Sequence, residues 1–128
     1  MQLTNNFWLK EFNCNDGVEV PSTLIPTVQK LSNQLQVLRD YIGKPIYITS
    51  AYRHRTYNRM IGSNDRSQHV KAKAADIKVK GMSPEDVHVI IEMLIDRGDM
   101  LQGGLGLYDT FIHYDIRKTK ARWDYRGR

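Results

Sequence analysis

Apolar positions recur at steps of four and three from Leu24 through Val28, Leu31, Leu35 and Leu38 to Ile42. That spacing puts side chains on one face of a 3.6-residue helix, and it predicts a helix here. Pro26 falls in the first turn, where the backbone has no internal donor to lose. Gly43, with Pro45 just beyond it, is a stop signal. The pattern then changes: Pro45-Ile46-Tyr47-Ile48-Thr49 is β-branched and aromatic, which predicts a strand. Residues 50–67 are polar and predict an irregular connection with one short helix around Tyr57 to Ile61. Ala74 to Val79 predicts a second strand, with Ala75, Ile77 and Val79 on one face and Ala74, Asp76 and Lys78 on the other.

Ser83-Pro84-Glu85-Asp86 is a helix start: a capping serine, proline at the first helical position and acids in the first turn. Val87, Ile90, Ile91, Leu94 and Ile95 give that helix a buried face, and Gly98 ends it. Gly103-Gly104 reads as a turn, with strands over Leu105 to Tyr108 and Phe111 to Ile116. At the N-terminus, Phe7, Trp8, Leu9 and Phe12 predict a short element packed on the core, and Asn13 to Pro21 a loop. Beyond that packing, the pattern gives no account of why residues 1–20 are needed. Helices beside a run of strands imply an α+β fold, an antiparallel sheet flanked by helices in a single domain over residues 1–128.

The chain has 128 residues, 41% of them hydrophobic and 26% charged, ordinary values for a globular domain with its own core. No apolar run approaches the length of a membrane span. The first ten residues show no basic region followed by an apolar stretch, so synthesis in the cytoplasm without a signal peptide is expected. The lone cysteine, Cys14, fits a reducing compartment and reads as a small buried hydrophobe. A net charge of +5 favours an anionic partner: nucleic acid, an acidic surface or the bacterial wall. Much of it lies in the tail, at Arg117, Lys118, Lys120, Arg122, Arg126 and Arg128, where a solvated, frayed end is the competing expectation. No nucleic-acid motif accompanies the charge.

Candidate chemistry gathers in three segments. His69 and Asp76 are both zinc-ligand types. His113 and Asp115, two apart on a strand, share a face and form a polar pair inside an apolar segment. Such a pair needs partners, and a metal would be one. By spacing alone, ordinary hydrogen-bonded histidines remain the stronger reading.

Ser67-x-His69-x-x-Ala72-x-Ala74-x-Asp76 resembles the Ser-x-His-x-x-Gly-x-Ala-x-Asp signature of the zinc D-Ala-D-Ala carboxypeptidases. That family includes the vancomycin-resistance D,D-dipeptidases and phage L-Ala-D-Glu endolysins, and shares its fold with the hedgehog signalling domain. Tyr52-Arg53 after a strand resembles the family's Tyr-Arg pair, and His113 lies where members carry a late-strand zinc histidine. The likeness runs from about Leu24 to Arg117 and is nearest to small phage members. The resemblance implies a zinc peptidase acting on peptidoglycan stem peptides. It implies His69, Asp76 and His113 as metal ligands, Arg53 on the developing oxyanion, and Ser67 and Tyr52 near substrate. The missing signal peptide suits a phage lysis protein that reaches the wall through a holin or in the virion, and equally an intracellular protein; a monomer with no membrane partner is expected.

Two departures stand out. Those enzymes usually carry the general-base carboxylate three residues before the second zinc histidine, and this chain has Thr110 there. Asp115 is the first alternative base, or else it only orients a ligand; Asp109 is the second, provided Asp109-Thr110 is not a turn. Ala72 replaces glycine, which matters only if that backbone needs positive φ. His54 could line the cleft or sit on a surface loop, and His88 reads as structural. Trp123 and Tyr125 could stack on a sugar or a base, though packing against the domain is the commoner use. Two rival functions stay open: a zinc-containing wall-binding or virion module that no longer cleaves, and a nucleic-acid binder resting on charge alone.

Overall fold

The computed structural model describes residues 1–127. The long helix α1 spans Ile25–Ile42, preceded by a 3₁₀ turn at Ser22–Leu24. It ends as its sequence requires: Gly43 takes φ 70° and its N–H bonds the Arg39 carbonyl at 2.9 Å. Strand β1 covers Ile46–Ser50, and α2 is one short piece, Arg55–Met60. Strand β2 is Ala74–Val79 and α3 is Pro84–Asp96. The Ser83 hydroxyl accepts the Asp86 N–H at 3.1 Å, so the predicted cap is formed. Strands β3 (Gly104–Leu107), β4 (Ile112–Asp115) and β5 (Ala121–Asp124) complete the chain. No helix among the described residues is long and apolar enough to cross a membrane.

One five-stranded sheet runs in the order β1-β2-β4-β3-β5. Its pairs are antiparallel except β3 with β5, which are parallel. The fold is therefore α+β as expected, with a sheet that is mostly rather than wholly antiparallel. Alternation sorts the two faces. Ala75, Ile77, Ile112 and Tyr114 are buried in one core with Val28, Leu31, Leu35 and Leu38 of α1 and Ile91 and Leu94 of α3. The opposite face carries Asp76, His113 and Asp115. Asp76 pairs directly with His113, and Ala74 with Asp115. The N-terminal segment belongs to this core, since Phe7 and Phe12 are buried there. Tyr52 N–H is held by the Phe12 carbonyl at 3.0 Å.

The tail is a correction. Ala121–Asp124 is a strand paired with β3, and arginines within and after it find fixed partners. Arg122 forks onto Glu92 of α3 at 3.0 and 2.9 Å, and Arg126 bonds Asp124 and Glu85. Gly103-Gly104 is a second correction. Gly104 opens β3 because its neighbour on β4, Asp115, brings its carboxylate where a Cβ would stand. Gly106 likewise faces the Trp123 indole of β5, which lies across the space a Cβ would fill.

Gly106→Ala is therefore expected to push Trp123 off the sheet and cost about 1–3 kcal/mol, the usual range for overpacking. Urea unfolding should show a lowered midpoint at unchanged slope. An unchanged midpoint would mean that Trp123 does not depend on the bare backbone beneath it.

Candidate metal centre

Two strands and one loop bring the candidate ligands together. Asp76 and His113 sit opposite each other on β2 and β4. His69 comes from a tight turn after residues 62–68, and its ring is fixed by a 2.7 Å hydrogen bond between Nδ1 and the Ala51 carbonyl. That turn forces Ala72 to φ 59°, so the position where the signature carries glycine does need a left-handed backbone. The strain costs roughly 1–2 kcal/mol. Burial of the Ala72 methyl, 1% exposed, offsets about 0.8 kcal/mol of it.

Asp76 Oδ1 lies 3.1 Å from His113 Nδ1 and 3.3 Å from His69 Nε2. Two metal bonds of about 2.1 Å at a tetrahedral angle put their donor atoms about 3.4 Å apart. Tautomers make the case sharper. The Ala51 carbonyl can only accept, so His69 carries its proton on Nδ1 and turns the Nε2 lone pair inward. Asp115 Oδ2 is 2.7 Å from His113 Nε2. A carboxylate there places the proton on Nε2 and leaves Nδ1 with its lone pair facing Asp76. Three buried electron-pair donors thus converge, an arrangement that a cation completes. Burial works against charge on Asp76, but the two histidines outweigh it and hold its carboxyl well below the usual carboxylate range. Burial opposes charge on His113 as well, but the bonds to Asp115 and Asp76 outweigh it and raise its pKa. Without a metal they favour a second proton, on Nδ1 toward Asp76, which a bound cation would displace to free the lone pair.

Around the triad lies an open cleft of about 760 Å³, lined among others by Arg53, Ser67, Tyr108, Phe111, Arg117 and Trp123. Arg53 reaches Asp76 Oδ2 at 3.3 Å, with Nε on Ser50 Oγ at 3.0 Å. Ser67 Oγ accepts the His69 N–H at 3.2 Å. Asp115 is fully buried and committed: its oxygens accept Gly104 N–H, Arg117 N–H, two guanidinium N–H groups and His113. Asp109 lies in the β3–β4 turn, capped onto Gly127 N–H at 3.0 Å. Tyr52 is buried outside the cleft lining, where its phenol feels Cys14 and Asp16.

A second group, Cys14, Asp16 and His54, also brings three metal-capable atoms within 4.8 Å of one another. Here the tautomer runs the other way. His54 Nδ1 accepts the Tyr57 N–H at 3.3 Å as the cap of α2, so its proton stands on Nε2, 2.5 Å from Asp16. That hydrogen bond pulls Asp16 down to about 2. The group is a loop-to-helix clip with no inward lone pair on its histidine.

A family model described as Peptidase M15 matches residues 5–115. The chain belongs to the peptidase M15 family. No curated protein matches it. The M15 match reaches well upstream of Leu24, in keeping with the burial of Phe7 and Phe12 in the core. Sequence reasoning about this M15 chain missed Tyr108, Arg117 and the glycines of β3. Two signals were available: Arg117 follows Asp115 by two, and Gly104 and Gly106 alternate on one strand face.

Asp115→Asn tests the tautomer argument. An amide nitrogen at the Oδ2 position would donate to His113 Nε2 and move the ring proton to Nδ1. Metal affinity, measured by competition with a chelator, is expected to fall about 10- to 100-fold. The change also removes a buried carboxylate's charge. Asp115 is held below the ordinary range because His113 and Arg117 outweigh its burial. Its stabilisation is therefore complete above the unfolded value near 4 and is lost as pH falls through the lower folded value. Metal-free wild type should lose stability on acidification below about pH 4 more steeply than the variant.

Proposed function

We propose that His69, Asp76 and His113 hold one zinc ion, and that the chain hydrolyses a peptide bond in the stem peptides of bacterial peptidoglycan. The observation that carries this reading is the convergence of Nε2, Oδ1 and Nδ1 lone pairs in one buried spot, each fixed by a partner behind it. Membership of a peptidase family supports the reaction class. Bound zinc supplies a Lewis acid and brings the pKa of its water to about 7.

The chain's own residues do the rest. Ala51 and Asp115 hold the two imidazoles in the ligating tautomer. Arg53 fixes the second oxygen of Asp76 and sets a positive charge beside the place where a scissile carbonyl gains negative charge. Ser67 braces the His69 backbone. The full commitment and burial of Asp115 support a positioning role for it in place of the general base, and the capped, turn-borne Asp109 is poorly placed for that task.

A second reading has one specific support. Among the described residues, the only carboxylate lining the cleft is Asp76 itself. A wall-binding module that keeps its metal without cleaving would look like this. Incubation with muropeptides and mass spectrometry separates the two. The peptidase reading expects one zinc per chain, cleavage abolished by chelator and restored by zinc, and loss of both metal and cleavage in His113→Ala. Stoichiometric zinc with intact muropeptides would leave the binding module standing.

A further inference from the structure

Hydrolysis of an amide needs a hydrogen-bond donor on the carbonyl oxygen as that atom gains charge. Arg53 has three of its five guanidinium N–H groups on Ser50, Asn58 and Asp76, which hold it as a fixed charge beside the ligand carboxylate. Arg117 spends two of its nitrogens on Asp115. Tyr108 is differently placed. It follows β3 directly, at the start of the turn into β4, and lines the same cleft as His69, Asp76 and His113. Its ring is clamped, stacked on Phe111 with centroids 4.3 Å apart and 12° between planes, and edge-on to Tyr125 at 5.6 Å. Trp123 donates its indole N–H to the Tyr108 oxygen at 3.0 Å, while the Trp123 ring sits 4.9 Å from His113.

A phenol that already accepts from an indole has its own O–H left to donate. Accepting that bond also polarises the O–H and strengthens it as a donor. Burial pushes the phenol pKa up, and Asp76 and Arg53 both act on it across the cleft. The group therefore stays protonated at neutral pH and is a donor, not a base.

Resting on the peptidase reading, we propose that Tyr108 is a catalytic residue whose hydroxyl donates a hydrogen bond to the oxygen of the scissile carbonyl. The bond strengthens as the carbonyl π pair moves onto that oxygen and the water oxygen bonds to carbon. When the C–N bond breaks, its pair stays on nitrogen, and both protons of the water end on the amine. Tyr108 keeps its own proton throughout. Trp123 acts through Tyr108, as a positioning residue that points the O–H into the cleft.

The test is Tyr108→Phe, which keeps the ring stack and removes one oxygen. On muropeptides that the wild type cleaves, kcat is expected to fall about 100-fold, as for loss of one oxyanion donor. KM should change less than about threefold, since the bond matters mainly in the transition state. Zinc content should remain one per chain and the thermal midpoint should hold within a few degrees. A kcat within about threefold of wild type overturns the proposal. So does a loss that tracks lost zinc or lost fold, which would make Tyr108 structural. Trp123→Phe is the second variant: it keeps an aromatic ring beside His113, lacks the N–H, and should give a smaller fall in kcat at full zinc content. A wild type that cleaves nothing would fail the peptidase reading itself, a separate outcome.

Discussion

The site depends on a carboxylate that never meets solvent. Asp115 lies at the middle of the sheet with both oxygens filled by donors from three directions: the β3 backbone, Arg117 and His113. An ionised carboxylate in such a place is tolerated only when every lone pair is occupied. The demand propagates outward. Gly104 must lack a Cβ, Arg117 must fold back along its own strand, and His113 must present Nε2–H. The last requirement makes the opposite ring nitrogen a free electron pair. Buried-charge satisfaction on one side of an imidazole thus favours, on the other, the lone pair that the proposed metal site would use.

The remaining geometry follows from what must stand around that ring. His113 has bare backbone beside it at Gly106, and Trp123 occupies the room so provided. The indole can do so only because β5 runs parallel to β3 and is pinned to α3 through Arg122 and Glu92. A C-terminal strand thereby becomes one wall of the cleft and, through the indole N–H, the support of Tyr108. Residues that look peripheral along the chain sit one contact from the centre.

Much of this was legible in the sequence where one period or one cap decides the outcome. The α1 stripe, the Gly43 stop, the Ser83 cap and the alternation of Asp76 against Ala75 and Ile77 are local signals, and the structure follows them. The His69, Asp76 and His113 grouping was legible only through likeness to a known signature, because proximity across β2 and β4 is set by register, which spacing does not encode. The tail strand was missed for a related reason. Arg122 and Arg126 read as solvated charge until their acceptors on α3 and β5 are known, and those acceptors lie up to 41 residues away. The sequence left Asp115 open between base and brace, because a carboxylate two residues from the candidate ligand histidine serves equally as either; its burial and filled lone pairs are tertiary facts that support the brace. Positive φ at Ala72 was flagged by the glycine of the signature, yet the methyl's place in the core, which lets alanine stay, is a tertiary fact.

The same pairings change what the chain's positive charge means. Of the basic tail, Arg117, Arg122 and Arg126 are bonded to acids of their own chain, so the tail is a weak argument for nucleic acid. At the centre, Asp76 pairs with Arg53 and Asp115 with Arg117. A divalent cation added to that balanced set leaves the cleft positive, with Arg66 also on its rim. In a partly desolvated cleft such charge acts over several ångströms with little screening. With the proposed zinc bound, it would favour peptides carrying carboxylates near the bond to be cut, as the proposed wall substrate does. It also disfavours a cationic leaving segment. Under the proposed zinc reading, any pull on an anionic substrate would come from the ion above these paired charges, in place of a surplus of lysine and arginine on the surface.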